Sequence, residues 1–269
     1  MKIGVFYQSG HKLVACYMAI QQFRKFYPDA PIALYEDGST ILENVANEFN
    51  CVYKHIGTVG INNRTSGRVF KGEDGPKDWL DRIYDACTTT LKDVDWVIHY
   101  EDDVWCLREI KIPPKFDISG AIGPLYTTQL YDYLKTKFGI NDSSRNVWSM
   151  NGSLENYGAC GGAIFNRLKF IEIYNRLNEV PWDEINKLDT RPYEWCDATL
   201  SFLFQFFGYT SGGWDDWSQY DSKNIGNWFD KSGWSVPMKE QKDAAFIHFY
   251  KHFYNYTPEE LELAKNKIV

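Results

Sequence analysis

Trp96-Val97-Ile98-His99-Tyr100-Glu101-Asp102-Asp103 is the stretch on which the reading of this chain turns. Residues 96–100, apolar or aromatic apart from one histidine, read as a buried strand, and three acids follow with no spacer. Carboxylates crowded this way raise one another's pKa unless a cation neutralises them. Divalent ions such as Mn2+ or Mg2+ prefer oxygen ligands and complete their shells with phosphates and water. A solvated turn at a strand end is the plain alternative. What lies upstream bears on the choice.

Residues 2–7 form an apolar run that stops at Gln8-Ser9-Gly10, a strand meeting a turn. Leu13, Tyr17, Ile20, Phe23 and Phe26 then recur at helical spacing until Pro28. Residues 32–35 read as a second buried strand, cut off by Glu36-Asp37-Gly38-Ser39, and Ser39 or Thr40 is expected to cap a helix running to about Phe49. Residues 52–56 read as a third strand. Pro76 opens a helix with Trp79, Ile83, Ala86, Cys87 and Leu91 on one face, and residues 96–100 follow as the fourth strand. Strands alternating with helices predict an α/β fold with a sheet that is parallel in this half. The strand C-termini then share one edge, where open α/β sheets bind ligands. Gln8, Asp37 and the acids 101–103 all fall at such ends.

The remainder is less regular. Residues 57–76 have no clear period and contain Arg64, Arg68 and Lys71, a loop of functional length. Short strands are expected at 116–122, 158–165 (broken by glycines) and 246–250, with helices at 130–138, 168–177 and 193–207. Residues 211–235, with Trp214, Trp217, Trp228 and Trp234, read as an irregular aromatic loop, and Thr257-Pro258 as a capped helix start.

The 269 residues carry 29 basic and 36 acidic side chains, a net charge of -7, which argues against nucleic acid as the main partner. An apolar content of 44% with 24% charged residues excludes a disordered chain. Six cysteines occur with no CxxC pair, and the start Met1-Lys2-Ile3-Gly4-Val5 already reads as a strand, leaving no room for a secretion signal. Free thiols and a cytoplasmic setting are therefore expected. No membrane-spanning segment is expected: residues 198–214 are uncharged but too polar.

The strand ending in Tyr100-Glu101-Asp102-Asp103-Val104, after about a hundred residues of βαβ units, resembles the DxD-type motif of GT-A fold glycosyltransferases. Gly158-Ala159-Cys160-Gly161-Gly162-Ala163-Ile164-Phe165 resembles that family's glycine-rich strand beside the acceptor, and Glu194-Trp195-Cys196-Asp197 its acidic motif. The resemblance spans about residues 1–252. It implies a mixed, mainly parallel sheet flanked by helices in a single GT-A-like domain. Residues 1–105 would form the nucleotide-sugar half and 106–269 the acceptor side. It further implies a metal-dependent transfer from a nucleotide sugar, uridine being the family's commonest base, to a hydroxyl of a glycan acceptor. Gln8, Ser9 and Asp37 would meet the nucleotide. Glu101 and Asp103 would hold Mn2+ or Mg2+, with Asp102 beside the donor or as an alternative ligand, since Glu replaces Asp at 101. His248 would be a further ligand, with His252 competing for that role. Arg64, Arg68 and Lys251 would face the diphosphate. Asp197, or failing it Glu194, would be the base of an inverting reaction.

The residues themselves leave bland readings open: Asp197 as a helix cap, His248 as a hydrogen-bonded strand residue, Arg64 and Arg68 as solvated charges. Gln8-Ser9-Gly10-His11-Lys12 lacks the G-x-G-x-x-G of a dinucleotide site, and neither a P-loop nor G-x-S-x-G is present. A non-catalytic carbohydrate-binding protein would keep the aromatics without needing the acids. Oligomeric state is not legible from the sequence.

Overall fold

The computed structural model describes residues 1–9, 13–36, 42–56, 76–102, 104–120, 127–138, 149–150, 153–154, 163–194, 196–214, 216–219 and 244–248. The first half runs β1 (Ile3–Ser9), α1 (Leu13–Arg24), β2 (Ile32–Glu36), α2 (Glu43–Glu48), β3 (Val52–His55), α3 (Lys77–Thr88) and β4 (Trp96–Tyr100). These are the alternating elements that the apolar runs predict. β2 is buried along its whole length and β1 at all but Gln8 of its positions. Inner strands covered on both faces read as continuous apolar stretches rather than alternating ones.

The second half adds β5 (Val104–Cys106), β6 (Ile118–Gly120), α4 (Thr128–Phe138), β7 (Ser149–Met150), β8 (Ser153–Leu154), β9 (Ala163–Asn166) and α5 (Arg167–Tyr174). Then come α6 (Trp182–Leu188), α7 (Arg191–Glu194), α8 (Cys196–Phe206), β10 (Ser211–Gly213), β11 (Trp217–Gln219) and β12 (Phe246–His248). Seven strands form one sheet in the order β10-β6-β9-β4-β1-β2-β3. All neighbours are parallel except β9, which runs antiparallel to both β4 and β6. This is the mixed, mainly parallel sheet expected, with helices on both faces. A second sheet, β11-β12-β5, is separate from it.

The two faces are packed differently. On one, Phe6, Ala33, Tyr35, Val97 and Phe165 meet apolar residues of α3, α4, α5 and α8. On the other, Val5, Tyr7, Leu34, Ile98 and Tyr100 meet α1, α2 and the small sheet, through Cys16, Ile20, Phe23, Val104 and Phe246. Gly4 in β1 allows a close approach: a Cβ there would stand 2.8 Å from the buried Leu91 side chain and 3.2 Å from the Pro31 carbonyl oxygen.

At the edge where the parallel strands begin, the Arg24 guanidinium donates to the carbonyls of Phe49 (2.9 Å), Tyr27 (3.2 Å), Ala30 (2.6 Å) and Asn50 (3.1 Å). It ties the end of α1 to the turns that lead into β2 and β3.

Several expectations are corrected. α2 starts at Glu43 with Leu42 at its N-cap and no side-chain cap. The Leu42 N–H donates to the Glu36 carboxylate at 3.0 Å, and Ser39 and Thr40 lie outside the described residues. The helical pattern over 193–207 is divided into α7 and α8, and α6 went unread. Residues 211–235 are not wholly irregular, since β10 and β11 lie there. The strands expected at 116–122 and 246–250 are three-residue strands, and of 158–165 only Ala163 onward lies within the described residues. Among the described residues no helix is long and apolar enough to cross a membrane. Cys16, Cys51, Cys87 and Cys106 are free thiols.

Candidate functional site

The parallel strands deliver polar residues to their C-terminal edge, where β1 ends in Gln8-Ser9, β2 in Glu36 and β4 in Tyr100, followed by Glu101 and Asp102. β1 and β4 are aligned with Tyr7 opposite Tyr100, so Gln8-Ser9 and Glu101-Asp102 leave the sheet side by side. Asp102 turns to the face of Tyr7 and Ser9 and is 7% exposed, whereas Glu101 is half-buried.

The Asp102 carboxylate is held at both oxygens. Tyr7 Oη donates to one at 2.6 Å, and Ser9 Oγ donates to the other at 3.0 Å. Tyr7 and Ser9 are fully buried. Burial, and then the charge of Asp102, raises the Tyr7 phenol well above its ordinary pKa, so it stays a proton donor. The Val104 N–H donates to the Glu101 carbonyl at 3.1 Å and closes the turn into β5.

The small sheet then brings in a distant part of the chain. β12 runs antiparallel to β5 with His248 opposite Val104, Ile247 opposite Trp105 and Phe246 opposite Cys106. The backbone of His248 is thereby set next to the acid turn, 144 positions away in sequence (248 less 104). Asp216, fully buried, fastens this sheet from below. It accepts from the Arg108 guanidinium and from the Lys111 and Ile112 N–H groups at 2.7 Å each.

Glu36 is a second fully buried acid at this edge. Besides the Leu42 N–H it accepts from Tyr53 Oη at 2.6 Å, and burial followed by that carboxylate raises the Tyr53 phenol. β9 enters the sheet at the same edge, with Ala163 opposite both His99 and Gly120. His99 faces the other way, between Phe6 and Trp79, and burial pushes its imidazole down to about 4. It is a neutral core residue.

Of the expected site residues, Gln8, Ser9, Glu101, Asp102 and the backbone of His248 are brought together. The Gln8 Oε1 is buried without a hydrogen-bond partner among the described residues. Glu194 is half-buried at the end of α7, and Asp197 is the second residue of α8, in the first turn where the free N–H groups and dipole favour an anion. Asp37, Arg64, Arg68, Asp103, Lys251 and His252 lie outside the described residues. Among the described residues no three His, Cys, Asp or Glu side chains form a metal site. Carboxylates such as Glu101 and Asp102 are the oxygen donors that a hard cation takes.

Tyr7, Glu36 and Tyr53 were not foreseen. Glu36 carries the same signature as Glu101, an acid closing an apolar strand. Tyr7 shares the pleat face of Ser9, and a buried phenol needs an acceptor.

No protein-family model matches the chain, and no curated protein matches it. Solved structures similar to it include the galactosyltransferase LgtC in complex with donor and acceptor sugar analogs, 12% identical at a TM-score of 0.49, covering 99% of this chain and 96% of that one. Mouse xyloside xylosyltransferase 1 is 11% identical at a TM-score of 0.49, covering 94% of this chain and 99% of that one. The bifunctional glycosyltransferase WbbM is 11% identical at 0.48, and the chain spans 52% of its length.

Proposed function

We propose that this chain is a metal-dependent glycosyltransferase of the GT-A fold that moves a sugar from a nucleotide-sugar donor, a UDP-sugar first among them, to a hydroxyl of a glycan acceptor. The observation that carries the proposal is the convergence at one sheet edge: Gln8 and the Glu101 turn side by side, with the His248 backbone laid against them by β12. Glu101 and Asp103, joined by His248, would hold Mn2+ or Mg2+. When bound, the ion neutralises charge on the donor diphosphate. Gln8 and Asp37 would bind base and ribose, and Arg64, Arg68 and Lys251 would steady the phosphates. Asp197 would take the acceptor hydroxyl proton as that oxygen attacks the anomeric carbon, with Glu194 as the second candidate.

The test is turnover of UDP-, GDP- and dTDP-sugars by purified protein, with and without Mn2+, together with calorimetry of donor binding. Nucleotide release that needs the metal is expected. Asp103→Asn should lower it by on the order of 100-fold or more while the circular dichroism spectrum stays unchanged. A chain that binds no sugar nucleotide under either condition overturns the proposal.

A further inference from the structure

We infer that Asp102 is a positioning residue that Tyr7 and Ser9 clamp from beneath, fixing the turn that begins at Glu101. The inference rests on the reading of this edge as a donor and metal site, and gives Ser9 and Asp102, which the resemblance places beside the donor, a supporting role together with Tyr7. Three observations support it. The Tyr7 and Ser9 hydroxyls take one Asp102 oxygen each, at 2.6 and 3.0 Å, so the carboxylate is gripped across its width. All three residues are buried. The clamp also sits between two fixed points: the β1–β4 register at Tyr7 and Tyr100 just before it, and the Val104 N–H to Glu101 carbonyl bond just after.

A carboxylate held at both oxygens stops its residue from rotating, and through the backbone it stops the turn from rotating. Pinning Asp102 thus fixes the backbone that carries Glu101, which is half-buried. Removing the Tyr7 oxygen should loosen the turn without deleting any group expected to meet the donor. Groups that orient metal ligands from behind typically change metal affinity 10- to 100-fold when lost.

The test uses Tyr7→Phe, which keeps the buried ring and removes one oxygen, and Ser9→Ala, with Ser9→Thr as the conservative control. Mn2+ affinity is read by titration against the Mn2+ electron paramagnetic resonance signal. Hydrogen exchange of residues 101–105 is read separately with no metal present. We expect Tyr7→Phe and Ser9→Ala each to weaken Mn2+ about 10-fold and to speed exchange in the turn but not in β2, and Tyr7→Phe to raise the metal concentration for half-maximal turnover while kcat at saturating metal is kept. Ser9→Thr should behave as wild type. Unchanged exchange in both variants overturns the inference. So does loss of Mn2+ binding in Asp102→Asn as complete as in Asp103→Asn, because Asp102 would then be a ligand. If the wild-type chain binds neither Mn2+ nor sugar nucleotide, the functional proposal fails, and the exchange experiment still decides whether the clamp exists.

Discussion

β1 is seven residues long and lies between two parallel neighbours, whereas every strand of the small sheet has three residues. The large sheet is held by long registers and a core on each face. The small one shares the second of these cores through Val104, Cys106, Trp217 and Phe246, and the buried Asp216 gathers Arg108 and two N–H groups of the segment following β5. Both sheets supply the same edge. The large one brings what is near in sequence, and the small one brings β12 from far down the chain. One part of the edge is therefore robust, and the other depends on a few contacts.

The sharpest way to break this contrast is Asp216→Ala. It leaves the Arg108 charge partly buried and two N–H groups without their acceptor, at a cost of about 3 kcal/mol or more. Urea melts should show the loss. Hydrogen exchange should show it concentrated in β5 and β12, with β1 and β4 still protected. Uniform loss across both sheets would mean that they unfold as one unit. A smaller effect is expected from Gly4→Ala in the large sheet, where the added methyl meets Leu91 and the Pro31 carbonyl. Overpacking of this kind costs about 2 kcal/mol and should appear as a lower urea midpoint, with the Mn2+ dependence of turnover unaltered.

The smallest effect comes with pH. Burial pushes the Cys87 thiol, in α3 against the large sheet, up to about 12. The folded state keeps this proton while the unfolded chain releases it near its ordinary value of about 9. The stability this contributes is complete below pH 9 and is lost as pH rises toward 12. By pH 10 the loss is about 1.4 kcal/mol, measurable by urea melts under reducing conditions. Cys87→Ala should flatten this limb.

The same contrast explains what could be read from the sequence. The strands at 3–9, 32–36 and 96–100 announced themselves because inner strands covered on both faces are apolar runs bounded by turns, whereas 52–55 is the mostly exposed edge strand β3. Their common edge followed from topology, and with it the acids at 101 and 102. β10, β11 and β12 are too short to show a period, and Trp214 and Trp217 looked the same whether packed in a core or exposed in a loop. Trp214 and Trp217 in fact pack on Phe246 of β12. Composition could not show which way an acid points. Asp102 looked like Glu101 until the fold set it against Tyr7 and Ser9, and Glu36 looked like a loop residue until Tyr53 and the Leu42 N–H closed over it.

Arg24 gives the opposite end of the sheet a meaning of its own. Its planar fork collects four peptide oxygens that would otherwise need water. A lysine, with a single compact ammonium, would not span them. Oxygen-rich ends of a fold call for a positive companion, and here the chain carries one permanently, built into α1. At that end the positive charge is covalent, whereas at the other the proposed reaction would draw it from solution.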